Sequence, residues 1–187
     1  GDLLWIGDEF GPYLFATDMD GRVVFFTETA FDGRTLRSPD HHALRLPNTP
    51  DGETAFEVRR SRGYEGMAAA PDGSMLYPLL EGPLWDAEAG AFETVDGTPV
   101  LRMLEFDPAA RAWTGRNWTY PLEDPSHAIG DFNMISDTRG LVIERDGGEG
   151  VPEMACPEGE ARSDCFANPA RFKRVYLIEL PAAGNGE

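Results

Sequence analysis

The chain has 187 residues, of which 41% are hydrophobic and 11% aromatic, so it has the length of one domain and enough apolar material for a core. Its 16 basic and 33 acidic residues give a net charge of −17, which argues against binding nucleic acid or anionic lipid and suits the binding of cations. No apolar run approaches the roughly 18 residues that a membrane-spanning helix needs. The chain opens on the strand-like GDLLWIGDEF without an initiator Met, so we expect it to be part of a longer protein.

Short apolar runs rich in β-forming residues recur along the chain and predict strands joined by tight turns. The Asp20-Gly21 pair between YLFATD and RVVFFTE is typical of a β-hairpin turn. The runs fall into three similar units at 3–28, 63–122 and 127–180. A complete unit has four antiparallel strands, and only the second unit supplies all of them. The sequence therefore predicts an all-β fold.

Tandem four-stranded units are typical of the blades of a β-propeller, and the predicted strands make about two and a half blades. A β-sandwich built from similar hairpins is the alternative. A propeller needs at least about four blades, so we expect the remaining blades of the same domain to be required. Without them, a row of sheets would expose apolar faces and free edges.

Two polar stretches interrupt the units, a long excursion at 29–62 and a Cys-bearing insertion at 149–171. Eight residues separate Cys156 from Cys165, and we expect a disulfide that closes this short loop. Two metal ligands or two free thiols are the alternatives, although two Cys with no His nearby make a poor zinc site. A disulfide predicts an extracellular or periplasmic protein.

Acidic side chains recur where the second strand of each unit ends. Glu9, Glu81 and Glu144 each follow an apolar run and closely precede a Gly. If the units are equivalent, these three residues lie around one ring at the centre of the propeller. Several carboxylates on one axis repel one another unless a cation or protons neutralise them.

The first strands of the second and third units add Glu65 and Asp131 to these acids. Carboxylate oxygens are the ligands that calcium prefers. We therefore predict a calcium site formed by Glu9, Glu65, Asp131 and Glu144, with Glu81 as the weaker candidate because the residues after it differ. The alternative is that all of these acids are solvated strand ends.

Other catalytic signatures are absent from the sequence: it contains no nucleophile elbow, phosphate-binding loop or His-Glu zinc motif. His41, His42 and His127 are predicted to lie in loops, with a general-base or phosphohistidine role as the alternative. Arg62 and Arg145 lie beside the predicted acidic ring. There they could bind an anionic substrate or pair with the acids.

Five stretches together resemble the phytase-like family, described as esterase-like activity of phytase. In the family's order they are WIGDEFGPYLFATDMDGRVV, GYEGMAAAPDGSMLYPLLEGPL, RMLEFDPAARAWTGRNWTYPLE, IGDFNMISDTRGLVIERDGG and DCFANPARFKRVYLIEL. The resemblance implies a secreted or periplasmic, β-propeller-like domain with a further N-terminal part. It implies that the family's functional acids correspond to Glu9, Glu65, Asp131 and Glu144, with Arg145 beside the last. The chain has a single Lys, a departure from the lysine-rich site expected of propeller phytases that puts phosphate hydrolysis in doubt.

These observations favour a calcium-dependent hydrolase of phosphate or carboxylic esters that acts on a small-molecule substrate. Glu144, Arg145 and Asp131 are the predicted catalytic residues, and calcium is the predicted cofactor. Two alternatives stay open. One is a propeller without catalytic activity that binds a ligand or a partner at its rim, and the other is a calcium-stabilised structural module of a larger secreted protein.

Overall fold

The computed structural model describes residues 2–45, 55–160 and 162–181. Within these residues the secondary structure consists of β-strands and one short 3-10 helix at Pro152–Met154, with no α-helix. This described part therefore contains no helix with the length and apolar character needed to cross a membrane. The prediction of an all-β fold is confirmed.

The strands of the described residues pair with near neighbours in the chain. In order they are β1 (Leu4–Gly7), β2 (Tyr13–Thr17), β3 (Val23–Glu28), β4 (Ala30–Phe31), β5 (Arg34–Thr35), β6 (Tyr64–Ala69), β7 (Leu76–Leu80), β8 (Trp85–Asp86), β9 (Ala91–Phe92), β10 (Thr94–Val95), β11 (Thr98–Asp107), β12 (Ala112–Pro121), β13 (Ala128–Met134), β14 (Arg139–Arg145) and β15 (Lys173–Glu179). Sheet 1 has the order β1-β2-β3, and sheet 3 has the order β13-β14-β15. Sheet 2 has the order β6-β7-β11-β12, with β10 paired to the start of β11. All of these pairs are antiparallel.

The turn between β2 and β3 forms at the predicted Asp-Gly pair. The Asp18 carboxylate accepts hydrogen bonds from the backbone nitrogens of Asp20 and Arg22, both at 3.0 Å. Gly21 has a φ of 81°, a left-handed conformation that glycine adopts without steric cost. Local chemistry alone therefore explains this turn.

Sheet 2 packs between the other two sheets, and both of its faces are covered. On one face Leu76 and Phe106 pack with Leu14 of sheet 1. On the other face Leu79 packs in a core that includes Phe132 of sheet 3. All residues of β7 are buried because alternate side chains enter different cores.

Within the described residues, sheets 1 and 3 each pack against sheet 2 on one face, and their other faces carry exposed apolar side chains. On the outer face of sheet 1, Phe26 is 50% exposed, and on that of sheet 3, Val175 and Leu177 are each 62% exposed. The three sheets are open and form a row within the described residues. Both ends of this row present apolar side chains to solvent.

The predicted excursion at 29–62 packs against sheets 1 and 2 in the part that the structure describes. Leu36 and Val58 are fully buried in a core shared with residues of β6 and β7. Residues 46–54 lie outside the described residues. The packing of Leu36 places the following segment, which contains two adjacent histidines, against sheet 1.

The Cys-bearing insertion follows β14 and returns to sheet 3 at β15. Cys156 and Cys165 form a disulfide, with their Cα atoms 5.0 Å apart. An isolated parallel bridge between Glu149 and Pro169 closes the base of the insertion. The predicted disulfide is confirmed.

Candidate functional site

The three sheets meet along β6, which packs against β1 of sheet 1 and β13 of sheet 3. The Gly63 nitrogen donates a hydrogen bond to the Glu9 carbonyl at 2.8 Å and so links the end of β1 to the start of β6. A Cβ on Gly63 would overlap the Glu9 carbonyl, and one on Gly66 would lie 2.9 Å from the Phe132 nitrogen. Glycine is therefore required at both positions for the sheets to approach this closely.

Glu9, Glu65 and Glu81 come together at this joint and form what we call the carboxylate group. One oxygen of each lies within 4.8 Å of the others. Glu9 follows β1, Glu65 lies on β6 and Glu81 follows β7. Glu81, the weaker candidate in the sequence, is thus a member, whereas Asp131 and Glu144 lie outside this group.

The hydrogen-bond register explains why Glu144 lies elsewhere. Both β6 and β13 contain a one-residue bulge near their start. The residue before the bulge is Tyr64 in β6, which pairs with Leu80, and Ile129 in β13, which pairs with Glu144. Glu144 therefore corresponds to Leu80 and not to Glu81, and its side chain enters the core between sheets 2 and 3.

The same register makes Arg145 the counterpart of Glu81, and the two side chains meet at the joint. Glu81 is only 5% exposed, and its Oε1 accepts from Arg62 at 2.9 Å and from Arg145 at 3.1 Å. Burial raises the pKa of Glu81. The positive charges of Arg62 and Arg145 oppose this rise, and the negative charges of Glu65 and Glu9 add to it. The three carboxylates and two guanidiniums carry a formal charge of −1, which favours an added cation.

The carboxylate group offers only oxygen donors, as a calcium site requires. Calcium–oxygen distances are about 2.3–2.6 Å, so oxygens on opposite sides of one ion lie about 4.6–5.2 Å apart. The three oxygens lie within 4.8 Å of one another, which is compatible with one shared ion. Glu65 is exposed, while Glu9 also accepts a hydrogen bond from Ser61. The donor set therefore fits calcium, with waters or backbone carbonyls needed to complete the coordination.

Glu144 is enclosed in a separate network, and its side chain is 1% exposed. Its carboxylate accepts from the Tyr120 hydroxyl at 2.8 Å, the Glu123 nitrogen at 2.9 Å and His127 Nδ1 at 2.7 Å. The His127 ring stacks on Phe172 with centroids 4.1 Å apart. Burial raises the pKa of Tyr120, and the hydrogen bond to Glu144 raises it further. Glu144 thus connects sheet 2 to sheet 3.

A cleft of about 740 Å³ lies beside this network, between β12 and β15. Trp118, Tyr176 and Leu180 form much of its apolar lining, and Glu123 and Glu144 also border it. The cleft follows the outer strand of sheet 2 and is separate from the carboxylate group. Its size suits a small organic ligand.

Asp131 is exposed on β13, the strand that packs against β6. Its carboxylate accepts from the Phe132 nitrogen at 2.7 Å and from Asn133 Nδ2 at 2.9 Å. The backbone of Asp131 lies beside Gly66, so this residue is close to the joint although it is not part of the carboxylate group.

A second group combines Glu28 with His41 and His42, and we call it the histidine group. The Nε2 atoms of His41 and His42 lie 3.2 and 3.7 Å from Glu28 Oε1. Burial lowers the pKa of His41, and the charge of Glu28 opposes this effect. Sequence reasoning missed this group because no spacing rule connects a residue at the end of a strand with a pair of histidines in a later loop.

Comparison with known proteins gives one match. The model of the phytase-like family, described as esterase-like activity of phytase, matches residues 1–187, the whole chain. No curated protein and no solved structure matches. The resemblance found in five stretches of the sequence is therefore confirmed, and the match extends over the full length of the chain.

Proposed function

The chain belongs to the phytase-like family, and on this premise we propose that it is a calcium-dependent hydrolase of phosphate or carboxylic esters. The observation that carries the proposal is the convergence of Glu9, Glu65 and Glu81 beside two arginines. Carboxylates bind a hard cation, and guanidinium groups bind an anionic or polarised ester. The joint between the sheets thus combines carboxylates for the cation with guanidinium groups for the ester.

In the proposed mechanism the carboxylate group holds the cation and the arginines hold the substrate. Calcium held by these carboxylates would supply a Lewis acid, which could polarise an ester oxygen and lower the pKa of a coordinated water. A guanidinium has five N–H donors, so Arg62 and Arg145 retain donors for substrate oxygens while they pair with Glu81. Their positive charge offsets the negative charge that develops on the ester in the transition state.

The proposal changes the roles of the remaining predicted site residues. Arg145 and Asp131 are kept as catalytic candidates, Arg145 because it faces Glu81 and Asp131 because it is exposed beside the joint. Asp131 is the proposed general base. Glu144 is proposed as a positioning residue, since its oxygens accept from three donors and its strand carries Arg145.

The proposed setting is a secreted or periplasmic β-propeller. The apolar outer faces of sheets 1 and 3 support this proposal, because further blades of the same domain would cover them. The disulfide between Cys156 and Cys165 supports an oxidising compartment. In this arrangement the blades beyond the described sheets would complete the surroundings of the carboxylate group.

A non-catalytic binding or structural module is the second candidate function. Two observations favour it. The carboxylate group is already partly neutralised by Arg62 and Arg145, so it can serve as an ionic joint between sheets. The apolar cleft between β12 and β15 offers a separate place for a small ligand.

The decisive experiment combines a calorimetric calcium titration with ester hydrolysis, using the natural full-length polypeptide. We expect saturable calcium binding, and hydrolysis of p-nitrophenyl phosphate or p-nitrophenyl acetate that a chelator abolishes. Glu9→Gln and Glu65→Gln should each weaken calcium binding about tenfold or more, since affinity follows the number of charged ligands. Glu88→Gln, an exposed acid in the β8–β9 turn, is the matched control and should change neither measurement.

Each outcome separates the candidates. Calcium binding that raises the melting temperature without hydrolysis of either ester would replace the hydrolase with the structural module. If the wild-type protein shows no saturable calcium binding, the cation site itself is wrong. Calcium binding that both glutamine variants retain would place the ion outside the carboxylate group.

A further inference from the structure

The histidine group lies where the described excursion returns to sheet 1, away from the carboxylate group. Glu28 ends β3 and pairs in the sheet with Tyr13 of β2. His41 and His42 follow in the excursion, and their rings stack with centroids 4.7 Å apart. The Tyr13 ring contacts both, with centroids 5.1 Å from His41 and 5.7 Å from His42. Sheet pairing and ring packing therefore hold all three ligand-bearing side chains in place.

The spacing of the donor atoms matches a tetrahedral metal site. Glu28 Oε1 lies 3.2 Å from His41 Nε2 and 3.7 Å from His42 Nε2. Zinc binds nitrogen and carboxylate oxygen at about 2.0–2.2 Å, which places two tetrahedral ligands about 3.3–3.5 Å apart. The measured distances fall on either side of this range. One donor atom from each of the three residues lies within 4.8 Å of those from the other two.

An independent observation points to a ligand at this place. The His41 side chain is completely buried, yet its Nε2 makes no hydrogen bond, although it lies near Glu28 Oε1. Buried polar atoms in native proteins nearly always have a partner, so an unpartnered nitrogen calls for an explanation. The side chain of His42 is 62% exposed and that of Glu28 is 37% exposed, which gives an ion access from solvent.

From this geometry we propose that Glu28, His41 and His42 bind a divalent transition-metal ion of the zinc class. Two imidazole nitrogens and one carboxylate suit zinc, cobalt or nickel, whereas calcium prefers oxygen ligands throughout. Three protein ligands leave a fourth position for water or another small ligand. The Tyr13 hydroxyl lies 2.9 Å from His42 Nδ1 and orients that ring, as outer-shell partners of metal-bound histidines do.

Metal binding has a structural consequence at Ala43. The Ala43 nitrogen donates to His41 Nδ1 at 3.1 Å, so the neutral ring carries its proton on Nε2. Coordination through Nε2 moves this proton to Nδ1 and breaks the hydrogen bond from Ala43. Ala43 is exposed, so its freed N–H can bond to water. The amide resonance of Ala43 therefore reports occupancy of the site directly.

The test is a titration of the protein with zinc, and with cobalt as a coloured probe, in the presence of excess calcium. We expect one zinc ion per chain and the visible absorption of tetrahedral cobalt. Glu28→Gln and His42→Gln should each lower zinc affinity by more than about 100-fold, and Tyr13→Phe by about 10-fold to 100-fold. The exposed side chain of His42 makes its substitution compatible with folding.

Glu9→Gln is the matched control because it removes a carboxylate from the carboxylate group and leaves the histidine group intact. Zinc affinity should be unchanged in this variant, and addition of zinc should shift the amide resonance of Ala43 but not that of Gly21. No stoichiometric zinc binding by the folded wild type would overturn the proposal. Binding that persists in both Glu28→Gln and His42→Gln would overturn it as well.

Discussion

The ends of β7 and β14 are similar in sequence but different in their surroundings. YPLLEGPL and LVIERDGG each place a glutamate after an apolar run and before a glycine. Glu81 at the end of β7 meets Arg62 and Arg145 at the joint between the sheets. Glu144 in β14 is instead enclosed by the Tyr120 hydroxyl, the Glu123 nitrogen and the His127 ring.

The difference arises from the register of each strand with its neighbour. Glu144 pairs opposite Ile129, the position that Leu80 occupies in sheet 2. Successive side chains of a strand point to opposite faces, so a shift of one residue moves a side chain from the joint into the core. Two similar sequences at strand ends therefore occupy the same structural position only if their bulges and strand pairings also correspond.

Among these residues, we expect the largest loss of stability for Glu144→Ala. Removing this carboxylate leaves the Tyr120 hydroxyl and His127 without their acceptor and opens a cavity in a buried region. We expect the free energy of unfolding to fall by about 3–4 kcal/mol, measured by urea denaturation. Glu88→Ala, at an exposed position, should stay within about 0.5 kcal/mol of the wild type. A loss below about 1 kcal/mol for Glu144→Ala would show that the network does not stabilise the fold.

A double-mutant cycle tests whether the position of Glu144 behaves like that of Leu80. Glu144→Leu supplies the side chain found at the equivalent position of sheet 2, but it leaves the Tyr120 hydroxyl unpaired. Adding Tyr120→Phe removes that hydroxyl, so the double variant should recover about 1–2 kcal/mol relative to the sum of the single variants. Strictly additive unfolding free energies would contradict a direct coupling between the two residues.

Glu81→Ala should destabilise the protein less than Glu144→Ala, by about 1–2 kcal/mol. The side chains of its partners, Arg62 and Arg145, are 35% and 33% exposed, so both guanidinium groups can turn to water when the carboxylate is removed. The measurement is again urea denaturation, in the presence of a chelator. A loss of unfolding free energy equal to that of Glu144→Ala would mean that the two arginines cannot turn to water when the carboxylate is removed.

The smallest effect expected is a difference in the pH dependence of stability. Burial raises the pKa of Glu81 in the folded state, so the folded protein holds this proton more tightly than the unfolded chain does. The stabilisation that comes from this proton is complete below the pKa that Glu81 has in the unfolded chain. It is lost as the pH rises through the pKa that Glu81 has in the folded protein. Glu81→Gln removes this loss, so the variant should gain stability relative to the wild type as the pH rises from about 4 to about 7. Parallel stability curves, measured with a chelator, would contradict the raised pKa.

Much of the fold could be predicted from short-range sequence patterns. Asp20 and Gly21 form the predicted hairpin turn because side-chain hydrogen bonds and a left-handed glycine act within a few residues. The spacing of Cys156 and Cys165 predicted the disulfide for a similar reason, since a short loop keeps the two thiols near each other. The strands of all three sheets follow from alternating apolar runs whose period matches the pleat.

The candidate sites depend on contacts that no local pattern contains. Glu9 and Glu65 were predicted as partners, but the inclusion of Glu81 follows from the packing of β6 against β1 and from the bulge at Glu65. Glu28 and the two histidines meet because the excursion folds back over sheet 1.

Sequence patterns alone predicted the all-β class, the order of the strands, the family and the chemical types of residue that end each strand. Those properties depend on local conformational preference and on the alternation of apolar and polar residues. Which acids share a site depends on the tertiary structure, because a bulge or a one-residue register shift changes the face on which a side chain lies. The tertiary structure also buries Glu144 beside Tyr120 and His127 and places Arg145 opposite Glu81 across the joint.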